Sequence, residues 1–224
     1  MPGRIIPLVS GEIYHVFNRG IDRRPTFLTK WHYKRAIETI LHYSYVSPPI
    51  SLSKLLLLAE EKKAEFRMLL KSSLSHIDIL SYCLMPNHFH FLLRQREKNG
   101  ISIFLSNFQN SYTRYFNTQD KRVGPLFLDQ FKAVRIEDED QLLHVHRYIH
   151  LNPITSFVVK TVEKLRTYLW SSLPEYFGLT QGFCETKTIL SQFRKRSAYE
   201  TFLYDQIAYQ QKLASIKHLI LENP

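Results

Sequence analysis

Residues 84–93 read LMPNHFHFLL and place two histidines, two positions apart, in an otherwise apolar run. Successive side chains of a strand point to opposite faces, so a strand here puts His88 and His90 on one face and the phenylalanines on the other. The apolar face can be buried, and two imidazoles at a fixed separation are what two ligands of one metal ion need. A strand histidine is equally an ordinary core or edge residue, so the pair alone leaves both interpretations open.

Charge and composition favour a polyanionic partner. The chain has 224 residues, with 30 Lys+Arg against 20 Asp+Glu and a formal net charge of +10. Nucleic acid is the first partner this predicts and an anionic membrane surface the second, while a basic protein with a solvated charged face is the plain alternative. Two cysteines do not make a disulfide framework, and no stretch resembles a signal peptide or a membrane span. We expect a cytoplasmic, nucleoid-associated protein that makes no use of a membrane.

Outward from the histidine run, the predicted order of elements is strand, helix, inserted helix, strand, strand, helix, strand, helix. This is a ferredoxin-like split βαβ arrangement of the α+β class, with a four-stranded antiparallel sheet. We expect one domain over residues 1–177, a helical insertion at about 51–73 and a C-terminal helical extension over 178–224. The predicted strands cover 11–20, 76–84, 88–94 and 131–136, and the predicted helices cover 30–45, 51–73, 100–117, 139–151 and part of 191–221.

The helix predicted at 139–151 carries the second part of a candidate site. Tyr148 and Asn152 follow each other at helical spacing on the flank of its apolar stripe. Because the histidine strand is central in the predicted sheet, this helix is expected to lay Tyr148 over the histidine face. We therefore expect His88, His90 and Asn152 around one divalent cation, with His150 as the alternative third ligand. Imidazole and amide donors with open positions for water and phosphate suit Mg²⁺ or Mn²⁺, with softer metals as an alternative in vitro.

A tyrosine beside such a cation points to phosphoryl chemistry. A phenol can attack phosphorus and later leave more easily than an alkoxide, so the covalent link is reversible. Its ordinary pKa is about 10, so it needs help to lose its proton, and a cation can polarise the phosphate. Tyr112 and Tyr115 are rival nucleophiles, although their spacing is typical of a buried helix stripe. His144 and His146 are expected at the surface or against phosphate, with a role as spare metal ligands as the alternative.

The run MPNHFHFLL (85–93), followed by YIHLNP (148–153), resembles the single-tyrosine HUH transposases of bacteria, most closely their REP-associated branch. IYHVFNRG (13–20) and WSS (170–172) also resemble that family. The resemblance implies a ferredoxin-like nuclease domain that cuts and rejoins single-stranded DNA next to hairpins through a 5′-phosphotyrosine intermediate. It assigns Tyr148 as the nucleophile, His88 and His90 as metal ligands, and Asn152 as the residue that completes the metal site.

The expected partner is single-stranded or hairpin DNA, and the assembly state is left open between a monomer and a homodimer. Two other functions stay open: a non-catalytic nucleic-acid-binding regulator derived from a transposase, and a hydrolytic metal nuclease without a covalent step. The basic residues expected to contact DNA are Arg19, Arg23, Arg24, Lys121, Arg122, Lys132 and Arg135.

Overall fold

Four strands form a single antiparallel sheet in this computed structural model, which describes residues 7–208 and 211. The strand order is β2-β3-β1-β4, and β1 pairs with β4 so that Tyr14 lies opposite Arg135 and Phe17 opposite Lys132. The predicted α+β class and its four-stranded antiparallel sheet are confirmed. The strands are β1 (Ile13–Arg19), β2 (Ile77–Met85), β3 (His88–Gln95) and β4 (Lys132–Arg135).

The helices follow the predicted order, with additional short helices toward the C-terminal end. Within the described residues, no helix is long and apolar enough to span a bilayer. The helices are α1 (Lys30–Tyr43), α2 (Leu52–Leu55), α3 (Glu60–Lys71), α4 (Gly100–Gln119), α5 (Glu139–Thr155), α6 (Val162–Arg166), α7 (Leu173–Tyr176), α8 (Lys187–Leu190) and α9 (Arg196–Tyr204).

The inserted helix predicted at 51–73 is divided into α2 and α3. Ser51 caps α2 by accepting the Lys54 backbone N–H at 3.4 Å. Ala59 has an extended backbone, and α3 begins after it with Glu60 and Glu61 in its first turn. Negative charge is favourable at a helix N-terminus, so these carboxylates favour a second start at this point. The sequence alone showed one continuous pattern because neither Gly nor Pro marks the break.

Helix α5 continues beyond the end predicted for it at Leu151. Asp138 caps its start by accepting the Gln141 backbone N–H at 2.7 Å. Pro153 lies inside the helix, which ends only at Thr155. The Ser156 N–H still donates to the Asn152 carbonyl at 3.0 Å, so the last turn closes without the missing proline donor. Asn152 is therefore helical and lies one turn after Tyr148.

The chain divides into two compact units, and β2 and β3 contribute residues to both. The first unit comprises Met1–Asp78, Pro86–His88 and Leu93–Arg135, and the second comprises Ile79–Met85, Phe89–Leu92 and Ile136–Pro224. In the first unit, α1 packs on α4 around an aromatic core. In the second, α5 packs among β2, α7 and α9, with Tyr176 and Tyr199 buried beside it. The domain boundary predicted at 177/178 stays a prediction, and the helix predicted as far as 221 extends beyond the described residues.

Candidate active site

Helix α5 presents Tyr148 from a largely buried stretch. Arg147 and Ile149 on either side are 2 % and 0 % exposed, whereas Tyr148 is 43 % exposed. The ring of Tyr148 meets the imidazole of His90 edge-on, with centroids 5.4 Å apart and planes at 85°. Both residues belong to the second unit. The phenol is thus accessible to a substrate while its ring is fixed against the second histidine of the strand.

Asn152 holds the hydroxyl end of Tyr148. The two side chains are hydrogen-bonded, and this bond lowers the pKa of the phenol. Ser156 Oγ donates to Asn152 Oδ1 at 3.3 Å, which leaves the amide N–H groups to face the phenol oxygen. A hydrogen bond donated to the phenol oxygen stabilises the phenolate, which explains why the bond with Asn152 lowers the pKa of Tyr148. Burial of the hydroxyl end acts more strongly, however, and raises the pKa of Tyr148 above its ordinary value of 10.

The two histidines of β3 have different surroundings. His90 is 6 % exposed, and the rings of Phe89 and Phe91 pack together with centroids 5.1 Å apart. His88 belongs to the first unit, where its Nδ1 lies 2.7 Å from Oδ1 of Asn87. A ring nitrogen fixed by a side-chain oxygen is typical of histidines whose other nitrogen binds a metal.

His146 and His150 form the core of a buried polar network. The two rings meet at 4.4 Å and 88°, and both side chains are fully buried. Burial lowers the pKa of both, to about 3 for His150, so both are neutral at physiological pH. The expectation that His146 lies at the surface is wrong. It belongs to the buried face of α5, where Ser81 Oγ lies 2.7 Å from its Nδ1.

His150 serves the same core and is unsuited to the role of alternative third ligand. Its Nε2 lies 2.7 Å from Ser172 Oγ, inside the second unit. Ser172 also accepts the Tyr82 backbone N–H at 2.9 Å and so joins the segment after α6 to β2. The WSS segment at 170–172 thereby has a structural role that its sequence did not reveal.

Helix α9 packs against α5 and forms hydrogen bonds with it. Tyr199 Oη lies 3.0 Å from His146 Nε2. Arg147 donates to the Phe202 carbonyl at 3.0 Å, and its guanidinium lies 4.3 Å from the centroid of the Phe202 ring. These contacts hold the residues immediately before Tyr148. Sequence reasoning missed them because the partners are more than fifty positions apart and follow no local pattern.

The seven predicted DNA-contacting residues all lie in the first unit. Two basic loops of this unit, at residues 19–24 and 121–128, are hydrogen-bonded to each other. Leu128 N–H donates to the Arg19 carbonyl, and Ile21 N–H donates to the Leu126 carbonyl. Some of the cations already have protein partners. Arg135 pairs with Glu12 at 2.7 Å, and Arg122 donates to Asn117 Oδ1 at 2.7 Å. Arg19, Arg23, Lys121 and Lys132 have exposed side chains.

The chemistry of the predicted metal donors fits a divalent cation. Two imidazoles and one amide oxygen leave positions for water and phosphate, as Mg²⁺ and Mn²⁺ prefer. Within the part of the chain that the structure describes, no group of three or more His, Cys, Asp or Glu forms a metal cluster. The predicted site has only two histidines and one asparagine, so it is not a cluster of that kind. Ligation by His88, His90 and Asn152 stays a prediction.

The rival tyrosines are placed as their spacing indicated. Tyr112 is fully buried, donates its hydroxyl to the Thr26 carbonyl at 2.6 Å, and has a pKa raised by burial. Tyr115 is partly buried, with the guanidinium of Arg35 lying 5.1 Å from its ring centroid. The accessibility and contacts of Tyr148 make it the better candidate nucleophile.

Comparison with known proteins supports the resemblance. Residues 56–152 match the family described as "Transposase IS200 like", a segment that contains the histidine pair, Tyr148 and Asn152. No curated protein sequence matches this chain. The fold is similar to a solved structure described as "Structure of the REP associates tyrosine transposase bound to a REP hairpin". That similarity has a TM-score of 0.53 at 15 % identity, covering 81 % of this chain and 89 % of that one. The predicted family resemblance is confirmed.

Proposed function

We propose that this chain, whose residues 56–152 match the IS200-like transposase family, is a metal-dependent single-stranded DNA endonuclease and strand transferase. It cleaves DNA near hairpins, and Tyr148 becomes linked to the 5′ phosphate. The observation that carries the proposal is the contact of the accessible Tyr148 phenol with His90 and Asn152. A structural tyrosine has no need of partial exposure beside two polar side chains.

In the proposed reaction, Tyr148 Oη attacks the scissile phosphorus. The new bond joins the phenol oxygen to phosphorus, and the bond from phosphorus to the 3′ oxygen breaks. The phenol proton passes to solvent, and the departing 3′ oxygen takes up a proton to become a free hydroxyl. Strand transfer is the reverse attack by a 3′ hydroxyl, which releases Tyr148.

The residues around Tyr148 have distinct parts in this step. The Asn152 amide donates toward the phenol oxygen and favours the phenolate. The edge contact with His90 fixes the orientation of the ring, and a fixed near-attack geometry lowers the barrier. His88, His90 and Asn152 are the residues proposed to hold the divalent cation. When bound, that cation supplies neutralisation of the charge that develops on the phosphate.

The basic loops of the first unit supply the sequence-independent part of DNA binding. A hairpin carries a dense row of phosphates, and exposed lysines and arginines gain affinity by releasing condensed counterions. The DNA hairpin bound in the similar solved structure favours a hairpin as the partner here. The proposal applies equally to a monomer and to a homodimer.

Cleavage of a labelled hairpin oligonucleotide with a single-stranded flank tests the proposal. With Mn²⁺, the wild type should nick the flank and form a protein–DNA adduct that survives denaturation. Tyr148→Phe should bind the same DNA and form no adduct, while the matched variant Tyr115→Phe should form it normally.

Each alternative has its own outcome in that assay. DNA binding without nicking under any divalent cation would replace the proposal with a non-catalytic regulator. Nicking that leaves free 5′ phosphates and does not depend on Tyr148 would indicate a hydrolytic metal nuclease. An adduct formed by Tyr148→Phe would show that another residue is the nucleophile.

A further inference from the structure

We infer that Asn87 is a positioning residue that fixes the tautomer of His88, so that the proton lies on Nδ1 and the metal-binding lone pair on Nε2. The same side chain ties His88 to the basic turn at residues 19–24. This inference rests on the proposed function for its purpose, because it concerns the nitrogen through which His88 is proposed to bind a cation. The tautomer itself is a property of the free protein.

The orientation of the Asn87 amide is determined by Arg23. Asn87 Nδ2 donates to the Arg23 carbonyl oxygen at 3.2 Å. A carbonyl can only accept hydrogen bonds, so the reversed amide would set two oxygens against each other. The nitrogen of the amide therefore belongs at Arg23, and its oxygen belongs at His88.

This orientation decides the protonation of the imidazole. Oδ1 of Asn87 lies 2.7 Å from His88 Nδ1, at hydrogen-bond distance. An amide oxygen has no hydrogen to give, so Nδ1 must be the donor. A neutral imidazole has one N–H and one lone pair, and with the proton on Nδ1 the lone pair lies on Nε2.

The backbone around Asn87 fastens the basic turn to the start of β3. Gly20 N–H donates to the Asn87 carbonyl at 2.8 Å, and Thr26 N–H donates to the Pro86 carbonyl at 2.7 Å. Gly20 is needed here, since a Cβ at this position would clash with the Arg24 carbonyl oxygen. All of these contacts are within the first unit.

The turn also has an unusual backbone that these contacts maintain. Asp22 and Arg23 have φ angles of 55° and 56°, in the left-handed region that non-glycine residues rarely occupy. Such conformations persist where surrounding contacts impose them. The hydrogen bond from Asn87 to the Arg23 carbonyl is one of those contacts, so one asparagine links the His88 ring to the backbone of an exposed arginine.

Nuclear magnetic resonance of ¹⁵N-histidine in the full-length protein, without metal or DNA, reads the tautomer directly. At about pH 8, where a histidine of ordinary pKa is neutral, the His88 ring of the wild type should show its proton on Nδ1. The signal is assigned by its loss in His88→Gln. Asn87→Ala removes the oxygen that fixes the tautomer, so the Nε2–H form should become populated. Asn87→Asp loses the hydrogen bond to the Arg23 carbonyl but keeps an acceptor beside Nδ1, so it should retain the Nδ1–H form.

Mn²⁺ affinity, measured by electron paramagnetic resonance of the free ion, is the second readout. Removal of a group that orients a metal-binding histidine typically weakens binding by about 10- to 100-fold, and we expect this for Asn87→Ala. Asn117→Ala is the matched control, because Asn117 likewise donates to a backbone carbonyl, that of Gly124 at 2.8 Å. It should change neither readout.

The outcomes separate this inference from the proposed function. A wild-type His88 protonated on Nε2, or an Asn87→Ala variant with an unchanged tautomer, would overturn the inference. Those spectra contain no DNA, so they do not depend on cleavage. Conversely, an adduct formed by Tyr148→Phe would overturn the proposed nucleophile while the tautomer assignment stood.

Discussion

The ring of Tyr148 stands edge-on to the imidazole of His90, with centroids 5.4 Å apart, and its hydroxyl is held by Asn152 one helical turn later. Tyr148, the nucleophile expected from the sequence, is thus partly exposed. It is oriented by His90 and Asn152, which are also expected site residues. This relationship between α5 and β3 can be tested in several ways.

The titration of Tyr148 should reflect its surroundings. Burial raises its pKa above the ordinary value of 10, and the hydrogen bond from Asn152 opposes that rise. Asn152→Ala removes the opposing interaction, so the pKa should move further upward. Alkaline titration of ¹³C-tyrosine-labelled protein measures this, with the signal identified by its loss in Tyr148→Phe. Asn110→Ala is the control, and a Tyr148 pKa at or below 10 would contradict the described environment.

The buried histidines should make the protein sensitive to acid. Burial lowers the pKa of His150 from 6.5 to about 3, and the pKa of His146 also falls. The unfolded chain therefore binds protons below about pH 6.5 that the folded chain does not bind, so stability present above that pH is lost as the pH falls. For His150 alone, the loss between pH 7 and pH 5 is about 2 kcal/mol.

Urea unfolding across that pH range checks the contribution of His150. The free energy of unfolding of His150→Gln should depend less on pH than that of the wild type, by about 2 kcal/mol at pH 5. Equal pH dependence in both proteins would show that His150 is already protonated, or exposed, in the fold.

The contact between α9 and α5 should contribute measurably to stability. Tyr199→Phe leaves the ring packing intact but removes the hydroxyl 3.0 Å from His146 Nε2. An unsatisfied buried polar group costs about 1–3 kcal/mol, and we expect a loss of that size. Thermal unfolding measures it.

Tyr204→Phe is the matched control on the same helix. The buried hydroxyl of Tyr204 has no hydrogen-bond partner among the described residues. Its removal should leave stability unchanged or raise it slightly. If both variants lose the same stability, the hydrogen bond to His146 is not what couples α9 to α5.

Salt dependence of DNA binding should distinguish exposed arginines from paired ones. Arg23 is exposed on the basic turn, whereas Arg135 pairs with Glu12 at 2.7 Å. If Arg23 contacts a phosphate, Arg23→Ala should reduce the slope of log affinity against log salt by about 0.9. Arg135→Ala should change it less. Fluorescence anisotropy of a labelled hairpin at several salt concentrations measures both slopes, and an unchanged slope for Arg23→Ala would remove this residue from the interface.

Most elements of the fold were predictable because apolar runs bounded by turn residues, and apolar residues at helical spacing, are visible in the sequence. Alternation in β3 and helical spacing in α5 were sufficient to select His90, Tyr148 and Asn152 and to predict that they share one region. The continuation of α5 through Pro153 was not predictable, because proline ordinarily ends a helix. The break before α3 was hidden because no Gly or Pro marks it.

Other features depend on contacts that no local pattern records. Histidine is a polar residue type, so His146 is expected from the sequence at the surface or against phosphate. The fold buries it because Ser81 and Tyr199, both distant in sequence, satisfy its two ring nitrogens. The role of Asn87 likewise has no local signature in the sequence. Its relation to His88 requires knowledge of where the Arg23 carbonyl lies.

The central claim, that Tyr148 forms a covalent bond with a 5′ phosphate, is tested most directly by mass spectrometry of a trapped conjugate. The wild type is incubated with a hairpin oligonucleotide and Mn²⁺, denatured, and digested with protease and nuclease. We expect one modified peptide, containing residues 148–152, with the 5′ phosphate of the downstream nucleotide on Tyr148. A nucleotide found on another residue, on Tyr112 or Tyr115 above all, or joined through its 3′ end, would contradict it.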